Sequence, residues 1–248
     1  MTRNIKHNCA WILASLIFSG LLGLASISVL MIAIPSTSAW AGTLKDNFDD
    51  GNMDGWDLSG APRDTWEVKD GELVVTPRSW PVWFLLGKTT WKDYTVRVRA
   101  KIVKYQSTGY IESAEILARA TSPLYWYAFG FGSVGLGTKD NFCCPVQGDL
   151  LVSVLYNIFE WELDKWYDLK LVAEGDQFKF YMNDELVIDY TYSTYPAGKV
   201  GIGATFSGTT AHFDDFSVTG DDVPDGFVAP VEAKGKLAIS WGKIKTIQ

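Results

Sequence analysis

From Asp46 to Gly220 the chain alternates apolar and polar residues over short runs, which is the pattern of strands with one buried face. In Tyr94 to Val103, Val96, Val98, Ala100 and Ile102 point one way; Thr95, Arg97, Arg99 and Lys101 point the other. Trp66 to Lys69 and Glu72 to Val75 alternate likewise around Asp70-Gly71, a two-residue turn that predicts a hairpin. Further strands are expected at Ile111 to Ala120, Tyr125 to Phe131, Tyr167 to Ala173, Gln177 to Met182, Glu185 to Tyr192, Val200 to Ser207 and Ala211 to Thr219. Gly175 and Asn183 supply turn residues that accept positive φ. The stretch Gly132 to Gly148 reads as a long loop, and Leu150 to Leu155 as a short helix. Many short strands at close spacing predict an all-β fold: two antiparallel sheets packed as a sandwich.

The ends differ in character. Residues 1–41 hold Arg3 and Lys6, an uncharged apolar run from Ile12 to Ile34, and Ala39-Trp40-Ala41, a small–x–small cleavage pattern. This predicts a signal peptide cut before Gly42; the length of the run leaves a retained membrane anchor as the alternative. Either way the expected location is secreted or cell-envelope. Pro224, Pro230 and interspersed charges mark 221–236 as a linker, and 237–248 as an apolar–basic tail expected to dock on its own domain as an edge strand, with a partner or surface attachment as the alternative.

Charge and composition narrow the chemistry. The 248-residue chain has a net charge of −7, which argues against nucleic acid as a partner. His212 is the sole histidine after residue 41, so mechanisms needing two histidines and zinc sites rich in His are excluded. In its strand context His212 is expected to be structural. Cys143 and Cys144 are adjacent, about 3.8 Å apart at Cα and below the usual disulfide range of about 4.4–6.8 Å. They are expected to be exposed in the long loop, as an interchain pair or as thiols.

Five segments carry a family likeness. Asp46-Asn47-Phe48-Asp49-Asp50-Gly51 leads to Gly55-Trp56, and Trp66 to Leu73 forms the hairpin. Trp166-Tyr167-Asp168-Leu169-Lys170-Leu171, Gly198 to Ile202, and Phe213-Asp214-Asp215-Phe216 complete the set. Together they resemble a concanavalin A-like jelly roll of the laminin-G-like type, similar to 3-keto-disaccharide hydrolases and glycoside hydrolase family 16. The resemblance spans residues 46–220. It implies first and last strands side by side, with Phe48 and Phe216 sharing a core. Trp66 and Trp166, each at the start of an alternating strand with a buried face, are expected to be core anchors.

The resemblance also implies a structural Ca²⁺ held by Asn47, Gly71 and Asp215, oxygen donors that suit a hard cation. A glycosidase would need two carboxylates flanking a cleft. Glu160, Glu162 and Asp164 alternate but do not match the family-16 motif, and Glu112 and Glu115 point to opposite faces, so no catalytic residue is assigned. A sugar site needs aromatic faces with planar polar partners. Arg119, Glu115, Tyr125, Tyr127 and Trp83 are the expected ligand-binding residues, with Trp80, Tyr110 and Trp126 as further aromatics. Arg119 is expected on the face of Glu115 and Leu117; alternation sends Trp126 away from Tyr125 and Tyr127. The resulting expectation is a non-catalytic carbohydrate-binding module with a polysaccharide or glycan partner. A glycoside-acting hydrolase and a surface adhesion or assembly module are the alternatives.

Overall fold

A computed structural model describes residues 41–62, 65–78, 82–106, 112–122, 125–134, 138–147, 150–151, 155–205 and 208–228, with backbone alone for 134, 138–147, 150–151 and 155–158. These form sixteen strands in two sheets. The first sheet contains β1 (Gly42–Asp46), β2 (Trp66–Lys69), β3 (Glu72–Val75), β5 (Tyr94–Lys104), β11 (Tyr167–Glu174), β12 (Gln177–Met182), β13 (Glu185–Thr191), β15 (Thr210–Gly220) and β16 (Gly226–Phe227). The second contains β4 (Val82–Leu86), β6 (Glu112–Ser122), β7 (Tyr125–Val134), β8 (Thr138–Gln147), β9 (Leu150–Leu151), β10 (Leu155–Ile158) and β14 (Lys199–Ala204). Across the seven-stranded sheet the main order is β10-β8-β7-β6-β14-β4.

Alternation decides which side chains meet between the sheets. Val96, Val98, Ala100 and Ile102 of β5 are buried, as are Leu169 and Leu171 of β11 and Phe178 and Phe180 of β12. The facing strands contribute Phe84, Ile116, Phe129, Phe131 and Ile202 to the same core. Phe129 stacks on Phe178 with ring centroids 5.4 Å apart. Burying one such phenylalanine contributes roughly 1.5–3 kcal/mol.

Two hairpins turn where the residue types require it. Asp70 and Gly71 have φ of 54° and 78°, and Asn183 and Asp184 have φ of 48° and 64°. Both turns therefore take positive φ at their two central positions, the twist that suits adjoining antiparallel strands. The first and last long strands, β1 and β15, lie side by side with Asp46 opposite Phe216. Phe48, Trp56 and Phe216 pack together at that end, and Trp56 Nε1 donates to Asp46 at 2.7 Å.

Several expectations change. Residues 132–134 and 138–147 belong to β7 and β8, so Cys143 and Cys144 stand in a strand rather than a loop. The expected helix is replaced at its ends by β9 and β10, since Leu150, Leu151 and Leu155 satisfy their backbones across β8. Trp166 is not a core anchor. Its ring lies under Arg99 and Lys101, 4.7 and 4.5 Å from the centroid, on the outer side of the nine-stranded sheet. The neighbouring Trp161 is the indole that enters the core here, fully buried and donating to the Gly132 carbonyl at 2.9 Å. Trp66 packs edge-on against Phe84 beside the core. The start of the expected linker also docks: β16 runs parallel to β1, with Val223 and Val228 buried. Residues 229–248 and residues 1–40, with the expected leader, lie outside the described residues.

Candidate functional site

The outer face of the seven-stranded sheet is built from the residues that alternation turns away from the core. Register aligns Trp83 of β4 with Gly203 of β14, Gly203 with Glu115 of β6, Glu115 with Gly130 of β7, and Gly130 with Phe142 of β8. A single carboxyl therefore stands between two glycines, in a row whose outer positions are aromatic residues. With strands about 4.8 Å apart, Trp83 and Glu115 are about 10 Å apart at their backbones. The adjacent row holds Leu85, Gly201, Leu117 and Ala128; on the other side Ser113 faces Gly132.

The glycines are a packing requirement. A Cβ on Gly130 would come within 2.3 Å of the Ala114 carbonyl oxygen, and one on Gly132 within 2.1 Å of that of Glu112. On Gly201 and Gly203 it would meet the carbonyl oxygens of Phe84 and Val82 at 2.4 and 2.7 Å. Only hydrogen fits at these four places, so bare backbone flanks β6 on both sides.

Beside this row lies an apolar patch. Leu85, Leu117, Ala120, Trp126 and Ala128 are buried together, with Trp83 packed against them. The rings of Trp83 and Trp126 approach to 4.6 Å although β14 and β6 separate their strands. Gly201 and Gly203 carry no side chains between them, and Leu85 and Leu117 pack over these glycines. Trp83 keeps partial exposure.

Glu115 is 3 % exposed, and no hydrogen bond or ion pair to its carboxyl occurs among the described residues. Burial alone pushes its pKa up to about 8. A buried carboxyl without a partner is costly, and such groups concentrate where a site uses them. Next to it, the Ser113 and Thr205 hydroxyls are hydrogen-bonded at 2.5 Å.

The expected ligand residues divide into two groups on opposite sides of this sheet. Glu115 and Trp83 share the outer face. Arg119 does not join them, because β6 bulges there: its φ is +49°, and the register shifts against both β7 and β14. The bulge sends Arg119 into the end of the sandwich, where it is 1 % exposed. Its guanidinium donates to the carbonyls of Tyr195, Lys92 and Gly175 and lies 4.7 Å from the Phe178 ring centroid. Tyr127 is fully buried in the same region, its hydroxyl accepting from Tyr195 N at 2.9 Å. Tyr125, 37 % exposed, packs toward Tyr195 at that end. Arg119 and Tyr127 thus hold the sandwich closed, which corrects their placement on a ligand-lining face.

Trp126 joins the site instead, as its parity with Glu115-facing positions on β7 allows. Trp80 and Tyr110 lie outside the described residues. Glu160, Glu162 and Asp164 are exposed around the buried Trp161 before β11 and form no shared face. His212 is held by Glu72, with Nδ1 and Oε2 2.7 Å apart.

The residues expected to hold calcium lie just after β1, in the turn between β2 and β3, and within β15. Asn47 Nδ2 donates to the Asp49 carboxylate, which also approaches Gly71: a Cβ there would be 2.9 Å from Oδ1. Asp215, in a bulge of β15 with φ of 51°, faces Arg99 at 3.2 Å. The donor set is all oxygen, as calcium prefers, and Asp49 adds a carboxylate that spacing does not single out.

Comparison with known proteins gives this geometry a setting. Among solved structures, the carbohydrate-binding module CBM66 from Bacillus subtilis is 22% identical, with a TM-score of 0.54 over 67% of this chain and 96% of that one. The catalytic domain of an endo-1,3-beta-glucanase (laminarinase) from Thermotoga petrophila RKU-1 is 11% identical, with a TM-score of 0.52 over 74% and 99%. A beta-1,3-1,4-glucanase (lichenase) derived from a mouse hindgut metagenome is 13% identical, with a TM-score of 0.51 over 73% and 100%. These likenesses establish the concanavalin A-like jelly-roll sandwich. A search of curated proteins finds no match. The model of the 3-keto-alpha-glucoside-1,2-lyase-like domain matches residues 43–219, from β1 to the last residues of β15. Because that match takes in both sheets and the whole outer face around Glu115, the chain belongs to the 3-keto-alpha-glucoside-1,2-lyase-like domain family.

Proposed function

We propose that this domain binds a saccharide on the outer face of its seven-stranded sheet. The observation that carries the reading is the lone Glu115 carboxyl between Gly203 and Gly130, beside the Trp83–Trp126 pair. A sugar ring offers C–H faces to an indole and hydroxyls to a carboxyl, and glycine-flanked backbone allows close approach. The family and the fold support the same partner, since the similar structures include a carbohydrate-binding module and two glucanases. The family name adds a substrate class, a 3-keto-α-glucoside, and a 1,2-lyase type of reaction.

A binding screen of oligosaccharides and 3-keto-α-glucosides on the full-length protein tests this reading. At least one member should bind, and Trp83→Ala should weaken it about tenfold, equivalent to about 1.4 kcal/mol. Absence of binding across the panel, or full affinity in the Trp83 variant, would refute it.

The reading includes export through the leader 1–41, surface attachment through the tail 237–248, and a structural Ca²⁺ around Asn47, Gly71, Asp215 and Asp49. Calcium at a hundredfold excess over its dissociation constant should stabilise the fold by about 2.7 kcal/mol. Thermal unfolding with calcium and then with chelator reads this directly. Asp49→Ala should abolish the difference, and equal melting temperatures for the unmodified protein would remove calcium from the scheme.

A further inference from the structure

We propose that the outer face of the nine-stranded sheet is a second binding surface, for a linear polysaccharide that carries carboxylates. Register sets one row of side chains across six neighbouring strands: Phe227 of β16, Lys45 of β1, Ser217 of β15, Arg97 of β5, Lys170 of β11 and Tyr181 of β12. At the usual strand spacing the row is about 24 Å long. Parity turns it away from the core, since Val96, Val98, Leu169, Leu171, Phe180 and Met182 are the buried neighbours along three of these strands. The surface is therefore separate from the Trp83–Glu115 face, which belongs to the other sheet.

The placing of charge along this row calls for an anion. Arg97 and Lys170 stand directly opposite each other, and like charges so placed in a sheet are destabilising. Lys170 turns aside, its ammonium 3.9 Å from the Tyr181 ring centroid and 3.6 Å from the exposed Asp184. Arg97 and Lys45 are exposed, and neither has an ion pair among the described residues. On one side the next row is Thr95, Thr219 and Thr43 across β5, β15 and β1, hydroxyls without charge. On the other side Arg99 is already taken by Asp214 and Asp215. An aromatic ring closes each end of the row, Tyr181 at one and Phe227, 66 % exposed, at the other. Such rings accept the C–H face of a sugar, and a guanidinium fork between them matches a carboxylate. The hydroxyls alongside can bond to those of the sugar. A lipid surface needs apolar side chains at the centre of the contact, where this row has Ser217 and Arg97.

The test measures binding of polygalacturonate and of alginate to the full-length protein, with methyl-esterified polygalacturonate as the uncharged control. At least one acidic polymer should bind at low ionic strength, and the ester should bind about tenfold more weakly or not at all. Salt at about 1 M, where the Debye length falls to about 3 Å, should abolish the binding. Arg97→Glu and Lys45→Glu should each weaken it about tenfold. Both side chains are exposed, and the first change puts opposite charges across β5 and β11, so neither melting temperature should fall. Binding of neither acidic polymer, equal affinity for polymer and ester, or full affinity in both variants would overturn the proposal. So would loss of binding in Trp83→Ala with Arg97→Glu unaffected, which would put the polymer on the seven-stranded sheet. Tighter Arg97-dependent binding to phosphatidylglycerol vesicles or to single-stranded DNA than to either polymer would also refute it. Failure here leaves the saccharide site of the other sheet to be judged by its own Trp83-dependent screen.

Discussion

Arg119→Ala is expected to destabilise the domain by about 3–5 kcal/mol, the cost of breaking a buried, hydrogen-bonded charge site. The guanidinium reaches carbonyls from three separate segments: Lys92 before β5, Gly175 between β11 and β12, and Tyr195 after β13. Removing it leaves those acceptors without their donor and opens a void against Phe178. Asp93, 3.8 Å away and 61% exposed, adds little because solvent screens it. Lysine should not rescue, since one ammonium lacks the planar fork that spans three acceptors. Urea denaturation measures the loss. Saccharide affinity of the folded fraction should remain within about threefold, because Arg119 lies on the opposite side of the sheet from Trp83 and Glu115. A large loss of affinity with intact stability would return Arg119 to the ligand site.

The contrast between Arg119 and Glu115 shows what alternation can and cannot reveal. Period two assigns the faces of β5, β11 and β12 correctly, because each runs without a break in parity. In β6 the same rule fails after Ala118. The bulge at Arg119 is a backbone event, with positive φ in a residue that seldom adopts it, and it reverses the parity of the residues beyond it. Gly198 is its nearest sequence signal: a Cβ there would lie 2.2 Å from the Arg119 carbonyl carbon. A glycine beside a strand start can mark such close approach, but sequence does not say to which strand.

The loop reading of 132–148 fails for a related reason. Gly132, Pro145 and Gly148 look like breakers, yet Gly132 is required by the neighbouring backbone, and Pro145 sits within β8 opposite Tyr127. Composition registers the residues without their purpose. Trp166 shows the limit for aromatics. Its start-of-strand position suggests the core, whereas cations at Arg99 and Lys101 hold it on the outside. The candidate site is legible only in pieces. Glu115 and Trp83 are identifiable by type and parity, but their alignment through Gly203 depends on β4 and β14 being neighbours in the sheet although they are distant in the chain. No local pattern encodes that pairing.

The second large effect concerns pH. Glu115 titrates near 8 in the fold and near its ordinary value of 4.5 in the unfolded chain. Below the unfolded value both states keep the proton, and the full stability is present. Between 4.5 and 8 the unfolded chain has released a proton that the fold retains, so stability falls as pH rises, by about 1.4 kcal/mol per unit. Above 8 both states are ionised and this contribution levels off. The accumulated loss is on the order of 4–5 kcal/mol. Asp46 and Asp214 are also raised by burial and add slopes of the same sign at lower pH, whereas Asp57 and Glu72 are lowered by their partners and oppose them. Subtracting the curve of Glu115→Gln from that of the unmodified protein isolates the one group. The difference should grow steadily from about pH 5 to about pH 8 in favour of the glutamine variant and then become flat. Parallel curves across that range would mean that Glu115 ionises normally in the fold. Its isolation between Gly203 and Gly130 would then carry no energetic consequence.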